Sequence, residues 1–276
     1  MSCAKLSGTI INQNYYREKI MKVLLLLLIS FTSFAADFKA VEEKLKTALK
    51  SEIRTDAEKE RDRNRRPVST LKFMGLSDDM KVAELIPGGG WYTKLLAPVL
   101  KEKGELYLAY GAGRVAEGLL KENKDFSHVK VVAKDAKLYR KEDAKFYSLE
   151  NADMGLKDLD MVLTFRNYHN FDFDGRKDMN DAAYNALKVG GIYGVVDHTR
   201  RHMQRDDSEN RRRFDPVLAI KEIQDAGFIL IDYSDMHYRP DDELRYEVGR
   251  KSVTGNTDRF TIARFHRCAL FQAKKT

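Results

Sequence analysis

The chain has 276 residues, of which 43% are hydrophobic and 33% charged, and its formal net charge is +7. This hydrophobic content suffices for one substantial core and argues against a disordered or low-complexity protein. In the first 35 residues four cations face one acid and contribute +3, and the later basic runs 61–66 and 200–213 are interleaved with acids. A nucleic-acid-binding protein is therefore not expected.

The N-terminal region resembles a secretory leader. Lys22 precedes the apolar run 23–31, and small residues follow at Ser33 and Ala35. The run is too short to span a bilayer, so we predict a signal peptide over residues 1–35, cleaved after Ala35, with translation beginning at Met21. An uncleaved anchor is the alternative. The mature chain, with no transmembrane span, is then expected in the periplasm or outside the cell.

Cysteine usage agrees with export and adds little to it. Cys3 would be lost with the leader, which leaves Cys268 alone and no internal disulfide. Cys268 lies in an apolar, strand-like tail, so we expect a buried thiol without catalytic work.

Residues 36–66 are predicted to form an N-terminal amphipathic helix. The segment 37–64 has no Gly or Pro, and apolar residues recur at helical spacing at Val41, Leu45 and Ala48. Pro67 is expected to end this helix, because proline disfavours the helical conformation in the residue before it.

Residues 67–276 alternate between apolar strand-like runs and helical segments, and they are predicted to form one α/β domain. Such alternation is typical of a Rossmann-like, mostly parallel seven-stranded sheet with helices on both faces, which binds ligands at the carboxyl ends of its strands. The predicted strands are 81–86, 106–109, 129–132, 159–165, 192–197, 228–233 and 259–271, and the helices are 91–100, 115–122, 177–187 and 216–226.

The first strand ends in the acid Glu84, and a glycine triplet follows Pro87 at Gly88, Gly89 and Gly90. Glycines allow positive φ and a close approach of the backbone to a ligand, and the N–H groups of the following helix face the same space. A tight strand-to-helix turn without a ligand is the alternative. Trp91, the only tryptophan, either stacks on a ligand or fills the seam between helix and sheet.

Polar residues follow the other strand ends. They are Asp135 after the third strand, the run Arg166, Asn167, Tyr168 and His169 after the fourth, and Asp197 with His198 at the fifth. Together with the glycine segment this pattern resembles the class I S-adenosylmethionine-dependent methyltransferases. More narrowly it resembles an exported branch of "predicted methyltransferases" with the motifs E-L-x-P-G-G-G-W-Y-T, R-N-Y-H and V-D-H, here at 84–93, 166–169 and 196–198. A further match lies at 257–260, and the resemblance covers about residues 61–271.

The resemblance implies S-adenosylmethionine as cofactor. Glu84 and the loop from Pro87 to Trp91 would surround its methionine part, Asp135 would face its adenine, and Asn167 would border the site. Two departures concern the cofactor: Ile86 stands where the family has glycine, and no acid ends the second strand to hold the ribose. Tyr110 or the backbone at Gly111 would have to substitute.

The catalytic residues implied are His169, Asn167 and Tyr168. Methyl transfer mainly requires alignment and exclusion of water, so a base is optional. His169 could accept a proton from the nucleophile, or it could simply fix the loop through hydrogen bonds. His198 beside Asp197 is similarly ambiguous. No metal site is expected, since the histidines and acids lack a recognisable ligand spacing.

Three functions therefore follow from the sequence. The leading one is methyl transfer to a small-molecule acceptor that the sequence does not identify. The alternative is a non-catalytic module that binds a nucleoside-like or acidic ligand, in agreement with the missing ribose acid and with the cytoplasmic origin of the cofactor. An NAD(P)-dependent oxidoreductase is less favoured, because Thr93 stands where the third glycine of G-x-G-x-x-G would fall.

Overall fold

The computed structural model describes residues 38–250 and 259–267. The predicted leader and Cys268 lie outside the described residues. Among those residues no helix is both long and apolar enough to cross a bilayer. The helices are α1 over 38–49, α2 Asp56–Glu60, α3 Asp62–Arg65, α4 Pro67–Met74, α5 Thr93–Leu100, α6 Gly113–Val115, α7 Phe173–Ala186 and α8 Pro216–Asp225.

Helix α6 continues as a π-helical turn over Ala116–Leu120, and single 3₁₀ turns lie at Lys124–Phe126 and Tyr168–Asn170. The strands are β1 Lys81–Leu85, β2 Glu105–Ala109, β3 Lys130–Val132, β4 Lys137–Tyr139, β5 Ser148–Glu150, β6 Leu159–Phe165, β7 Leu187–His198, β8 Phe228–Ser234 and β9 Arg259–Arg267.

Seven strands form one sheet in the order β3-β2-β1-β6-β7-β9-β8. The first five run parallel, and β9 is antiparallel to both of its neighbours. The prediction of a Rossmann-like, mostly parallel seven-stranded sheet is confirmed. The chain moves outward from β1 through β2 to β3 and then returns to β6 on the other side of β1, so the strand order reverses between β1 and β6. Sheets of this kind bind ligands at this point.

Apolar clusters cover both faces of the sheet. On one face α1, α4 and α5 pack on alternate strand residues such as Val82, and on the other α7 and α8 pack on their neighbours, such as Ala83 and Leu85. The period of two along a strand therefore puts Glu84 on the side of α5.

The N-terminal segment differs from the single helix that the sequence predicts. Helix α1 ends at residue 49, and a new helix begins after Thr55, whose hydroxyl accepts from the Glu58 N–H while the Glu58 carboxylate accepts from the Thr55 N–H. This capping box supports a fresh helix start. Arg66 takes a left-handed conformation (φ 41°), and Pro67 becomes the first residue of α4. Proline thus begins a helix here, as its fixed φ allows at the first helical position.

The short antiparallel pair β4–β5 was not predicted. Each of its strands has three residues, which is too short for a clear alternation of apolar and polar side chains.

Candidate functional site

The loop after β1 has an unusual backbone. Gly88 and Gly90 have positive φ (61° and 79°), and so does Ile86 (54°). A β-branched residue rarely takes this conformation. It is fixed here by two hydrogen bonds: the Ile86 N–H donates to the Ala109 carbonyl at 2.8 Å, and the Ile86 carbonyl accepts from Asn167 Nδ2 at 3.0 Å.

The three glycines face different surroundings. A Cβ placed on Gly88 or Gly89 would meet nothing within 4 Å, whereas one on Gly90 would lie 3.2 Å from Leu119 Cδ2 and 3.4 Å from Val115 Cγ2. Gly88 and Gly89 therefore border open space. Gly90 is the point at which the loop packs against the helical segment that follows β2.

Glu84 is buried at the end of β1, and its Oε2 accepts from the Thr93 hydroxyl at 2.6 Å. Burial raises the pKa of Glu84 to about 7, while the Thr93 hydrogen bond and the positive charge of Arg65 act in the opposite direction. Its carboxyl group is therefore close to its titration point at neutral pH.

Next to the carboxyl ends of β1 and β6 lies a cavity of about 630 Å³. This volume suits a small-molecule ligand. Its lining comes from the end of β1, the glycine loop and the start of α5, from α6, from the end of β6 and from the N-terminal segment. It consists of Thr55, Ala57, Glu58, Arg61, Arg65, Glu84, Leu85, Ile86, Pro87, Gly88, Gly89, Trp91, Tyr92, Lys94, Arg114, Phe165, Arg166 and Asn167.

The N-terminal wall of this cavity, formed by residues 55–65, was not predicted. Trp91 is only 6% exposed, its Nε1 donates to the Glu58 carbonyl at 3.0 Å, and the Arg65 guanidinium lies 4.2 Å from the centre of its ring. Lys94 forms an ion pair with Glu58 at 2.8 Å. Trp91 thus fills a seam between the glycine loop and the wall, although it also borders the cavity.

On the β6 side, Arg166 and Asn167 line the cavity. Arg166 has a positive φ of 63°, its N–H donates to the Val196 carbonyl at 2.6 Å, and its Nε donates to His198 Nε2 at 3.0 Å. Burial lowers its pKa. The Asn167 amide donates to the carbonyls of Ile86 and Phe165, both at 3.0 Å, and so joins the two loops.

His169 lies behind this layer and does not line the cavity. Its Nδ1 is 2.5 Å from Asp197 Oδ1, and its backbone N–H donates to Asp197 Oδ2 at 2.8 Å. Asp197 is completely buried and also accepts from the His198 N–H at 2.7 Å. These bonds connect His169, Asp197, His198 and Arg166 in one network.

Tyr168 lies in the core on the α7–α8 face. Its hydroxyl donates to Glu222 Oε2 and accepts from Asn180 Nδ2, each at 2.9 Å, and burial raises its pKa. The structure therefore brings Asn167 to the cavity and leaves Tyr168 and His169 outside its lining. The catalytic assignment of all three stays a prediction.

The residues predicted for the ribose and adenine are also outside the cavity lining. Tyr110 is buried and its hydroxyl donates to the Ala152 carbonyl, while Asp135 is exposed in the turn after β3. Of the predicted cofactor residues, those that meet at the cavity are Glu84, Pro87, Gly88, Gly89, Trp91 and Asn167. Among the described residues, no three or more His, Cys, Asp or Glu side chains are placed to hold a metal ion.

No protein-family model matches the chain, and no curated protein matches it. Among solved structures, the fold is similar to that of a SAM-dependent methyltransferase from Aquifex aeolicus, with a TM-score of 0.49 and 15% identity over 72% of this chain and 89% of that chain. It is also similar to that of a TehB-like SAM-dependent methyltransferase from Corynebacterium glutamicum, with a TM-score of 0.44 and 12% identity over 72% of this chain and 85% of that chain. The third example is Aeropyrum pernix fibrillarin with natively bound S-adenosyl-L-methionine. Its TM-score is 0.43, with 13% identity over 71% of this chain and 73% of that chain. At this level of similarity the function has to be argued from the site.

Proposed function

We propose that the chain transfers a methyl group from S-adenosylmethionine to a small-molecule acceptor in the cavity between β1 and β6. The observation that carries this proposal is the position of the cavity: it lies at the reversal of strand order, beside a glycine loop and a buried strand-end acid. When bound, S-adenosylmethionine supplies a methyl carbon made electrophilic by its sulfonium sulfur.

The residues at the glycine loop fit the methionine part of this cofactor. Gly88 and Gly89 leave room for a close approach of the ligand, and Glu84 offers a carboxylate to its ammonium group. The fit is confined to this half, since neither Tyr110 nor Asp135 lines the cavity.

For such a transfer the cofactor would supply the methyl group, with its sulfur as the leaving group, and the acceptor would supply the nucleophile. The protein aligns these atoms and excludes water. Asn167 holds the glycine loop and the β6 loop together through its hydrogen bond to the Ile86 carbonyl. The rings of Tyr92, after the glycine loop, and Phe165, at the end of β6, stack with their centres 3.5 Å apart. We assign His169 a positioning role, because its ring lies outside the cavity lining. It acts through its bond to Asp197, which belongs to the network that holds Arg166.

Two other functions give different binding results. A non-catalytic module for a nucleoside-like or acidic ligand would bind without turnover, and it is favoured by the position of Tyr110 outside the cavity. An NAD(P)-dependent oxidoreductase would bind the dinucleotide, although Thr93, which replaces the third glycine, is used here to bond Glu84.

The experiment is isothermal titration calorimetry of the full chain with S-adenosylmethionine, S-adenosylhomocysteine and NAD. We expect the first two to bind and NAD not to bind. Replacing Gly88 by Ala should weaken binding of S-adenosylhomocysteine, because it adds a methyl group toward the cavity at a positive φ. Gly155→Ala is the matched control, since Gly155 has φ 64°, borders open space and lies outside the cavity.

Both variants carry the same backbone strain, so only Gly88→Ala should change affinity. Equal affinities in the two variants would show that the glycine loop does not hold the ligand. Binding of NAD alone would replace the proposal by the oxidoreductase.

A further inference from the structure

The cavity lining has more positive than negative charge. It includes five cationic side chains, from Arg61, Arg65, Lys94, Arg114 and Arg166, and only two carboxylates, from Glu58 and Glu84. Glu58 is already paired with Lys94 at 2.8 Å, and the raised pKa of Glu84 reduces its charge at neutral pH. More cationic than anionic side chains therefore line the cavity at neutral pH.

Three of these arginines have no ion pair with any residue that the structure describes: Arg61, Arg114 and Arg166. Arg166 is the most constrained of them. Its Nε donates to His198 Nε2, and within the described part of the chain its two Nη groups have no hydrogen-bond partner. A guanidinium that is fixed by one nitrogen, in a residue that lines a cavity, has two Nη groups left to bind an oxyanion through two parallel hydrogen bonds.

Arg166 is also supported from behind. The fully buried Asp197 accepts from the backbone N–H groups of His169 and His198, and His198 in turn accepts from Arg166. Arg166 has a left-handed backbone conformation, which costs free energy in a non-glycine residue and is kept when the surrounding structure enforces it. The Asp197 carboxylate attracts the positive charge of Arg166, and Arg61 opposes that charge to a smaller extent. An anion between Arg61 and Arg166 would relieve the repulsion between these two guanidinium groups.

The proposed methyl donor does not supply the missing charge. S-adenosylmethionine carries a sulfonium, an ammonium and one carboxylate, so its binding adds one net positive charge to the cavity. Even if Arg61, Arg114 or Arg166 holds the donor's carboxylate, the other two still have no ion pair among the described residues.

We propose that the methyl acceptor carries a carboxylate or phosphate group, and that Arg166, aided by Arg61, binds this group. The inference rests on the proposed function, and it makes Arg166 the residue that selects anionic acceptors over neutral molecules of the same shape.

The test is calorimetry of the full chain saturated with S-adenosylhomocysteine, using benzoate, phenyl phosphate and neutral benzamide as probes. We expect at least one anion to bind about tenfold or more tightly than benzamide, the range of charge-assisted hydrogen bonds. Comparison of the two anions distinguishes a carboxylate from a phosphate. Higher ionic strength should weaken binding of the anion and leave that of benzamide unchanged.

Arg166→Gln should remove this preference and change the affinity for S-adenosylhomocysteine by less than about twofold. Arg166→Lys keeps the positive charge but lacks the planar guanidinium that donates two parallel hydrogen bonds, so it should retain only part of the preference. This variant still tests the role of Arg166 if the Gln variant fails to fold. Arg211→Gln is the control, since Arg211 is an exposed arginine outside the cavity. Its preference should equal that of the parent.

Equal binding of benzamide and both anions, or an anion preference that survives in Arg166→Gln, would overturn the inference. If S-adenosylhomocysteine does not bind, the proposed function fails, and the same probes are titrated into the unloaded chain. A preference for anions that depends on Arg166 would then stand by itself and indicate the acidic-ligand module. If the unloaded chain also shows no preference for anions that depends on Arg166, both proposals are wrong.

Discussion

Glu84 offers a direct physical test of the site, because burial raises its pKa to about 7 from an ordinary value of 4.5. A carboxyl group whose pKa is higher in the folded than in the unfolded state binds more protons when folded. The free energy of unfolding therefore falls as the pH rises from about 4.5 to about 7. Above both values the difference corresponds to about 3 kcal/mol of destabilisation.

Replacing Glu84 by Gln removes this titration but keeps an oxygen that can accept from the Thr93 hydroxyl. The difference in unfolding free energy between Glu84→Gln and the parent should therefore rise by about 2.5 kcal/mol between pH 5 and pH 8, in favour of the variant. The measurement is urea denaturation of both proteins at several pH values across this range. The comparison cancels the titration of all other groups that the substitution leaves undisturbed.

Glu105→Gln is the control. Ion pairing and hydrogen bonding with Lys130 and Tyr107 lower the pKa of Glu105 to about 2. Glu105 is therefore ionised in both the folded and the unfolded chain above pH 5.5, and the difference in unfolding free energy between Glu105→Gln and the parent should be nearly independent of pH there. A flat difference for Glu84→Gln as well, or one that favours the parent at high pH, would refute the argument that burial controls this carboxyl.

The remaining predictions concern the ligand, the wall and the β6 loop. The affinity for S-adenosylhomocysteine should rise about tenfold from pH 6 to pH 8, because Glu84 must lose its proton to hold an ammonium group; calorimetry should show no such rise in Glu84→Gln. Arg65→Gln should shift the emission of Trp91 to longer wavelength and lower stability by about 1 kcal/mol, since the guanidinium covers that ring; unchanged emission would contradict the contact. Tyr168→Phe should lower the unfolding free energy by about 1–3 kcal/mol, as it leaves buried partners of the hydroxyl unsatisfied, without changing ligand affinity. A loss of affinity with unchanged stability would return Tyr168 to the site.

The sheet and the glycine loop could be predicted because their signals are local. Apolar runs with helices between them determine β1, β2 and β6, and the acid before the glycine triplet marks the end of β1. Side-chain period alone even fixes the face on which Glu84 lies, since its neighbours on the strand pack in the opposite core.

The other parts of the site depend on contacts between distant residues. Arg65 reaches Trp91 from 26 positions earlier, and Gly90 meets Leu119 from a later helical segment, which no local pattern reveals. The 3₁₀ turn at Tyr168–Asn170 rotates consecutive residues in different directions, so that Asn167 lines the cavity while Tyr168 enters the core. The basic run 61–66 is visible in the sequence, but its pattern does not distinguish a solvated surface from a cavity wall, to which Arg61 and Arg65 contribute.

The wall formed by residues 55–65 has a thermodynamic consequence. It is bound to the glycine loop across the cavity through Trp91 and Lys94, so a ligand that touches both sides adds contacts to the same closed arrangement. Opening of the wall and release of the ligand are then linked equilibria. If opening weakens binding of a ligand that touches both sides by some factor, saturation with this ligand lowers the equilibrium constant for opening by the same factor. Amide hydrogens of α2 would thus exchange with solvent more slowly as the cavity fills, although none of them needs to touch the ligand.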